Sequence, residues 1–294
     1  MYYFILNPVS GGGRVATIQN KLKKRLSSLG LVGDFMKTSG EGDAWNLARI
    51  AVKKGYSTVV CVGGDSTIHE VLNGVQGTDV ALGIIPIGYR NILASRLGIP
   101  TNIDKAIDII RSRYVEMVDI GRANELKENF VLSCGFGAEI DFLTEVGKNR
   151  TFFERLIGDE KIFSSLLMNQ TPKEVTFTID KSYKITTQIL SASIINAGFL
   201  SNDVLRKYEF SYKDRLLDLV IISSDGKPFT KTNVFSGSKI GQSRYTSIIQ
   251  ASHIEIECLH EQLKMHIDGR ILAKTPVTIQ ILPTKQRFII KKPF

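Results

Sequence analysis

Apolar residues over the first 120 or so positions fall in short runs set between amphipathic stretches. "YYFIL", from Tyr2 to Leu6, is one such run, and Val15, Ile18, Leu22, Leu26 and Leu29 then recur at helical spacing. Ala44, Leu47, Ala48, Ala51 and Val52 repeat that spacing ahead of "TVVCV". Strand-like runs alternating with helix-period stretches predict βαβ units and a parallel sheet with helices on its faces. Beyond "RYVEMVDIG" the period changes, because "VTFTI", "YKITTQILSASII", "LLDLVII", "IEIEC" and "VTIQIL" are strand-like with few helical runs between them. The expected fold class is therefore α/β: an N-terminal parallel α/β domain, residues 1–121, followed by a β-sandwich domain, residues 122–294. The C-terminal tail is left able to return to the first domain. No internal repeat, low-complexity tract or long linker marks the boundary, which rests on the change of period alone.

Composition narrows the function classes. With 294 residues, 43% of them hydrophobic, the chain can bury a core in each of two ordinary domains. Its apolar runs are far shorter than the roughly 20 residues that span a bilayer, and the N-terminus lacks the basic start of a signal peptide. Cys61, Cys134 and Cys258 are odd in number and far apart, which argues against a disulfide framework or zinc site and for the cytoplasm. The net charge of +9 asks for an anionic partner. Two clusters stand out: Lys21, Lys23, Lys24 and Arg25 on an early helix, and Lys285, Arg287, Lys291 and Lys292 near the end. They read as a solvated face or as a peripheral contact with an anionic membrane surface, where each basic residue contributes about 1 kcal/mol. Neither is interleaved with aromatics, so nucleic acid is not expected as a partner.

Three glycine-bearing turns follow predicted strands: "NPVSGGGR" after the first, "GGDST" after "TVVCV", and "IGYRN" after "ALGIIP". Ligands bind at the carboxyl ends of parallel strands, and glycine there lets backbone N–H groups approach a phosphate. Gly11, Gly64 and Gly88 are expected to line one cleft. Neither GxxxxGKS/T nor GxGxxG occurs, which excludes the Walker and Rossmann types of site. A local reading of "GGDST" competes with the functional one, since Thr67 and Glu70 stand in capping-box relation and Asp65 and Ser66 are also N-cap types. That reading explains Ser66 but not Gly63 and Gly64.

The order of these motifs resembles the diacylglycerol kinase-like lipid kinases, relatives of the sphingosine kinases and of the NAD kinases. Matching pieces are "NPVSG" at Asn7 to Gly11, "GDA" at Gly42 to Ala44, "GGDST" at Gly63 to Thr67, "EVLNG" at Glu70 to Gly74, "LGIIPIG" at Leu82 to Gly88, "LGIP" at Leu97 to Pro100 and "VDIG" at Val118 to Gly121. In the second half, "DRLLDLVII" from Asp214 is similar to the family's DGxLD segment and "IDGR" from Ile267 to its DGE. The resemblance covers most of the chain. It implies ATP and Mg2+ as cofactors and transfer of the γ-phosphoryl group to a lipid hydroxyl. It also implies a catalytic Asp65, a metal-side Asp214, and nucleotide contacts from Asn7, Pro8, Ser10, Gly11, Gly63, Gly64, Ser66, Thr67, Gly88, Arg90 and Asn91.

The chain departs from the pattern at the positions nearest the phosphates. Ser66 stands for the third glycine of GGDGT; Tyr89, Arg90 and Ile92 stand for the Thr, small residue and Asp of GTxND; Arg215 stands for the Gly of DGxLD; and Arg270 stands for the base Glu of DGE. A lost general base removes about 10² to 10⁴ in rate. Ser66 in a left-handed conformation would store about 1 to 2 kcal/mol of strain. Arg90, Arg215 and Arg270 together would favour anions. Alternatives to a working lipid kinase are a catalytically silent member that binds nucleotide or anionic lipid, and a kinase for a soluble substrate; a homodimer is left open. Elsewhere, Trp45 and Phe35 are expected in the core, His69 on the surface or hydrogen-bonded, and His260 and His266 without a metal.

Overall fold

The first apolar run forms β1 (Tyr2–Leu6), and the expected alternation follows: α1 (Ser10–Ser28), β2 (Gly33–Lys37), α2 (Asp43–Lys53), β3 (Thr58–Gly63), α3 (Asp65–Val75) and β4 (Ala81–Pro86). Next come α4 (Ile92–Arg96), α5 (Ile103–Ser112) and β5 (Val115–Val118). The structure, a computed structural model, describes residues 1–147, 159–198, 210–224 and 246–292. The chain divides into two units, Met1–Ile120 with Pro283–Phe294, and Gly121–Leu282.

In the first unit, β1 pairs in parallel with β2 on one side and β3 on the other, and β3 pairs in parallel with β4. Every residue of β1, β3 and β4 is buried, which is why their sequences are continuous apolar runs instead of alternating ones. The core on one face joins Phe4, Leu6, Val60, Val62 and Ile85 to Val15, Leu22 and Leu26 of α1 and Ile107 and Ile110 of α5. Phe35 packs against it as expected, its ring stacked on Phe4 at 4.4 Å. Full burial of side chains such as Phe4 or Leu26 stabilises the unit by about 1.5–3 kcal/mol each. Trp45 is not core: it sits on the first turn of α2 and is 43% exposed.

The sheet is completed from the far end of the sequence. Its order is β2-β1-β3-β4-β17-β5, where β17 (Gln286–Ile289) lies parallel to β4 and antiparallel to β5. Lys285 pairs with the buried Asp119 at 2.9 Å, and Arg287 with Asp79 at 3.1 Å. The buried Gln286 amide donates to the Val80 carbonyl at 2.8 Å. Two of the four C-terminal cations thus dock the closing strand, a use that their charge alone does not reveal.

The second unit contains β6 (Gly121–Ala123), β7 (Glu128–Phe130), β8 (Ser133–Gly137), α6 (Ala138–Gly147), α7 (Asp159–Met168), β9 (Lys173–Ile179) and β10 (Tyr183–Ile195). It continues through β11 (Leu217–Ser223), β12 (Thr246–Ala251), β13 (His253–Glu257), β14 (Lys264–Ile267), β15 (Arg270–Lys274) and β16 (Val277–Ile281). These strands make one 11-stranded antiparallel sheet in the order β15-β14-β8-β10-β9-β13-β16-β6-β7, with β11 and β12 branching from β10. A large core takes Ile189, Ala192 and Ile194 from β10, and a smaller one under α6 and α7 takes Leu190 and Ile195. The irregular register between Ile189 and Ser191 explains the change of parity, because one extra residue turns every later side chain to the other face. Helices α6 and α7, joined by an edge-to-face Phe142–Phe163 contact, are features that the strand-rich pattern did not single out. Among the described residues no helix is long and apolar enough to cross a membrane.

Candidate functional site

Because β1 has β2 on one side and β3 on the other, the chain reverses its direction of winding between β1 and β3. In an open α/β sheet the carboxyl ends of such a pair border a crevice. The loops after β1, β3 and β4 all emerge at that edge. They are tied together by main-chain bonds, Asn7 N–H to the Val62 carbonyl at 3.1 Å and Ile87 N–H to the Gly63 carbonyl at 2.8 Å.

The glycines are required where the loops touch. Gly11, Gly12 and Gly13 have φ of 63°, 70° and 85°, a left-handed turn of three residues that side chains disfavour. Successive N–H groups in such turns form anion-binding concavities. A Cβ on Gly11 would lie 2.5 Å from the Ile87 carbonyl oxygen, one on Gly64 3.0 Å from the Gly88 Cα, and one on Gly88 2.6 Å from the Gly64 Cα. The three loops therefore meet backbone to backbone. The Tyr89 hydroxyl reaches to 2.7 Å from the Cβ position of Gly12, while its ring is 82% exposed.

Side chains fix this arrangement. The Asn7 side-chain amide donates to Thr67 Oγ1 at 2.9 Å and its side-chain carbonyl accepts from Val9 N–H at 3.2 Å across Pro8, while Ser10 N–H donates to the Asn7 main-chain carbonyl at 3.1 Å. Asn91, in the left-handed region at φ 49°, accepts from Gly88 N–H at 2.7 Å and donates to the Gly88 carbonyl at 2.8 Å. Asp65 accepts from Ile92 N–H and Leu93 N–H, both at 3.1 Å, so its two carboxylate oxygens hold the start of α4. Arg90 sits half-buried in the loop that Asn91 shapes. Asp65 thereby has a structural duty that its place in the motif did not disclose.

Two local expectations are corrected. Thr67 and Glu70 do not form a capping box, because α3 begins at Asp65 and leaves Thr67 inside the first turn; Glu70 instead accepts from Ala44 N–H of α2 at 3.2 Å. Ser66 is exposed and helical, and it is absent from the residues with positive φ, so it carries no left-handed strain. The strained substitution is Arg215, at φ 64°. Arg215→Gly is accordingly expected to raise stability by about 1 kcal/mol, and Ser66→Gly to lower it by about 0.5–1 kcal/mol, in urea denaturation. Of the two expectations for His69, the hydrogen-bonded one applies and the surface one does not: it is 1% exposed, on the buried side of α3, with the Asn73 amide 3.4 Å from its Nε2.

In the second unit, Asp214 is exposed and accepts from Leu216 N–H at 3.1 Å. Four residues on, Asp218 is buried and bonded to the Gln250 amide at 3.1 Å. Burial first, and then the charge of Asp214, push the Asp218 carboxyl above the ordinary Asp range, partly offset by the Gln250 bond. A raised folded value means that the fold binds this proton more tightly than the unfolded chain. The stability it confers is full below the ordinary Asp range and is lost as pH rises through the raised value. Asp218→Asn should therefore stabilise the protein at pH 7 and change little near pH 3, read from urea midpoints at both.

Arg270 opens β15 across from Ile267, after a two-residue turn in which Asp268 and Gly269 have φ of 46° and 85°. The Asp268 carboxylate is buried and accepts from Val131, Leu132 and Ser133 N–H groups at 3.1, 2.9 and 3.2 Å, which ties the hairpin to β8. Close by, His266 Nε2 contacts Glu139 Oε2 at 2.6 Å, and Ser193 donates to the same carboxylate, all three side chains being buried. Sequence reading found no role for His266. The signal available was its alternation with Met265, which faces the large core and turns His266 to the other side.

The loop after β2 was also missed as part of the site edge. Thr38 N–H donates to the Leu6 carbonyl at 2.9 Å, placing this loop beside the one after β1. Ser39 donates through both N–H and hydroxyl to Asp43, bonds that hold the Asp43 carboxyl below its usual range. The "GDA" motif was its visible trace. Among the described residues no group of three His, Cys, Asp or Glu side chains is placed to hold a metal ion.

Comparison with known proteins agrees with this architecture. The family described as diacylglycerol kinase catalytic domain matches residues 1–123. The diacylglycerol kinase of Bacillus subtilis is 33% identical over 277 residues, 90% of this chain and 88% of that protein. The diacylglycerol kinase of Mycobacterium tuberculosis is 27% identical over 295 residues, 95% of this chain and 91% of that protein. A crystal structure from Bacillus anthracis, assigned to the diacylglycerol kinases, superposes with a TM-score of 0.78 at 23% identity, covering 99% of this chain and 95% of that one.

Proposed function

The chain belongs to the diacylglycerol kinase family, and from that premise we propose that it is an ATP-dependent lipid kinase of slow turnover. The observation that carries the reading is the backbone contact of the Gly11, Gly64 and Gly88 turns at the edge where β1 and β3 part. A phosphate cradle needs loops whose N–H groups converge, and these glycines let the three loops meet: a Cβ on Gly11 or Gly88 would stand 2.5 or 2.6 Å from neighbouring main chain, and one on Gly64 3.0 Å. The nucleotide would be held by Asn7, Pro8, Ser10 and Gly11 from the first loop, Gly63, Gly64, Ser66 and Thr67 from the second, and Gly88, Arg90 and Asn91 from the third. When bound, ATP supplies the γ-phosphoryl group and Mg2+ neutralises phosphate charge. Asp214 would hold the ion largely through water, in keeping with its exposed carboxylate.

Phosphoryl transfer depends mainly on placement and charge. Asp65 contributes placement, since it fixes α4 and with it the third phosphate loop. A lipid hydroxyl is the acceptor by family, and the protein works at a membrane surface as a peripheral partner. With Arg270 in the hairpin position where the family has its Glu, the rate falls by about 10² to 10⁴. A silent, nucleotide-binding member is the second reading, favoured by the left-handed Arg215 together with Arg270. Asn7→Ala removes both side-chain bonds of Asn7 and is expected to weaken ATP binding about tenfold in isothermal titration, taking about 1.4 kcal/mol for the lost bond to Thr67. Unchanged affinity would count against the cradle.

A further inference from the structure

Helices α1 and α5 border a groove of about 620 Å³ on the first unit, a volume within the usual range of ligand sites. Its apolar lining comes from Ile18, Leu22 and Ile103, of which Leu22 is buried and the other two are half-buried. Lys21, Lys24 and Arg25 line it as well, all exposed, against a single carboxylate, Asp104. The helical period produces this pairing, because Ile18 is three and four residues from Lys21 and Leu22, and these are four and three from Arg25, along one side of α1. Lys23 falls outside that side and its ammonium lies 5.2 Å from the centre of the Phe35 ring instead. Arg25 bonds Asp104 at 3.2 Å, which offsets one of the three cations and leaves an excess of positive charge on the groove.

Apolar lining beside uncompensated cations is complementary to an anionic amphiphile. We infer that this groove docks anionic phospholipid of a membrane surface, with the phosphate group among Lys21, Lys24 and Arg25 and the glycerol and upper acyl chain against Ile18, Leu22 and Ile103. The inference deepens the peripheral membrane reading given above by naming the surface that makes the contact. It assigns that role to α1 and not to the C-terminal cluster, where Lys285 and Arg287 are engaged with Asp119 and Asp79. Long lysine and arginine stems suit such a place, since they cover apolar surface while their charged ends meet the headgroups.

The test is sedimentation of the full-length protein with vesicles of phosphatidylcholine alone or mixed with phosphatidylglycerol, without nucleotide. Binding is expected only to the mixed vesicles. Lys21→Glu with Lys24→Glu should lower the partition coefficient by about 100-fold. Asp104→Asn should raise it, Ile18→Asp should lower it, and Lys291→Glu with Lys292→Glu should change it little. Soluble glycerol 3-phosphate should not displace the protein, which separates a lipid surface from a free phosphate ester. Circular dichroism and thermal unfolding of each variant confirm that it is folded. Retained binding in the α1 double variant, or loss in the C-terminal one, would overturn the groove while leaving peripheral association standing. No binding of the wild-type protein to either vesicle would remove both, and capture by an acidic protein in place of vesicles would likewise refute the lipid assignment.

Discussion

Valine at position 64 is expected to abolish measurable nucleotide binding. The Cβ alone would stand 3.0 Å from the Gly88 Cα, and the obstacle is main chain, which cannot swing aside as a side chain can. Two further methyl groups would separate the loops after β3 and β4, and the 2.8 Å bond between Ile87 N–H and the Gly63 carbonyl would lengthen with them. Overpacking of this kind costs about 1–3 kcal/mol of stability, so binding has to be measured on protein shown to be folded. Gly77→Ala is the useful comparison. Gly77 has φ +80° but nothing within 4 Å of its Cβ position, so alanine there should lose stability through strain and keep its affinity. If Gly64→Val binds ATP like the wild type, the three loops are a tight connection and not a cradle.

The second large effect is expected from restoring family residues in the second unit. Arg270→Glu combined with Arg215→Gly should raise turnover on a diacylglycerol acceptor by about 10² to 10⁴, the usual contribution of a general base. Arg270→Glu alone should achieve much less, because groups that act as a unit in catalysis are strongly non-additive. The glycine removes the left-handed strain at position 215, which lies one residue after Asp214 and three before Asp218. Affinity for ATP should stay the same or fall, since the pair of substitutions lowers the net positive charge of the protein. A gain in affinity without a gain in rate would show that the arginines do not limit the chemistry.

Much of the first unit could be read from the chain because its central strands β1, β3 and β4 are covered on both faces. Continuous apolar runs such as "TVVCV" and "LGIIP" admit few other readings once helical stretches separate them. The three glycine turns were legible for the same reason, as their spacing follows the strands. What the sequence did not carry was long-range partnership. Asp65 reads as an N-cap or a reacting group, and only the fold brings the N–H groups of Ile92 and Leu93, 27 and 28 residues away, onto its oxygens. Glu70 looked like a partner for Thr67 and finds Ala44 N–H instead. The buried Glu139–His266 contact spans 127 residues, and no local pattern could pair them. Ser66 and Arg215 show the converse: both replace glycines of the family pattern, yet only Arg215 sits where glycine's conformation is used.

The most direct measurement is transfer of label from γ-labelled ATP to lipid hydroxyls in mixed micelles with Mg2+, comparing the wild-type chain with Gly64→Val. The acceptors would be diacylglycerol, sphingosine and a monoacylglycerol. A labelled lipid phosphomonoester, formed well below the roughly 1–100 per second of ordinary kinases and lost in Gly64→Val, is the predicted result. Lipid product no greater for the wild type than for Gly64→Val, with ATP binding intact in the wild type, would contradict it.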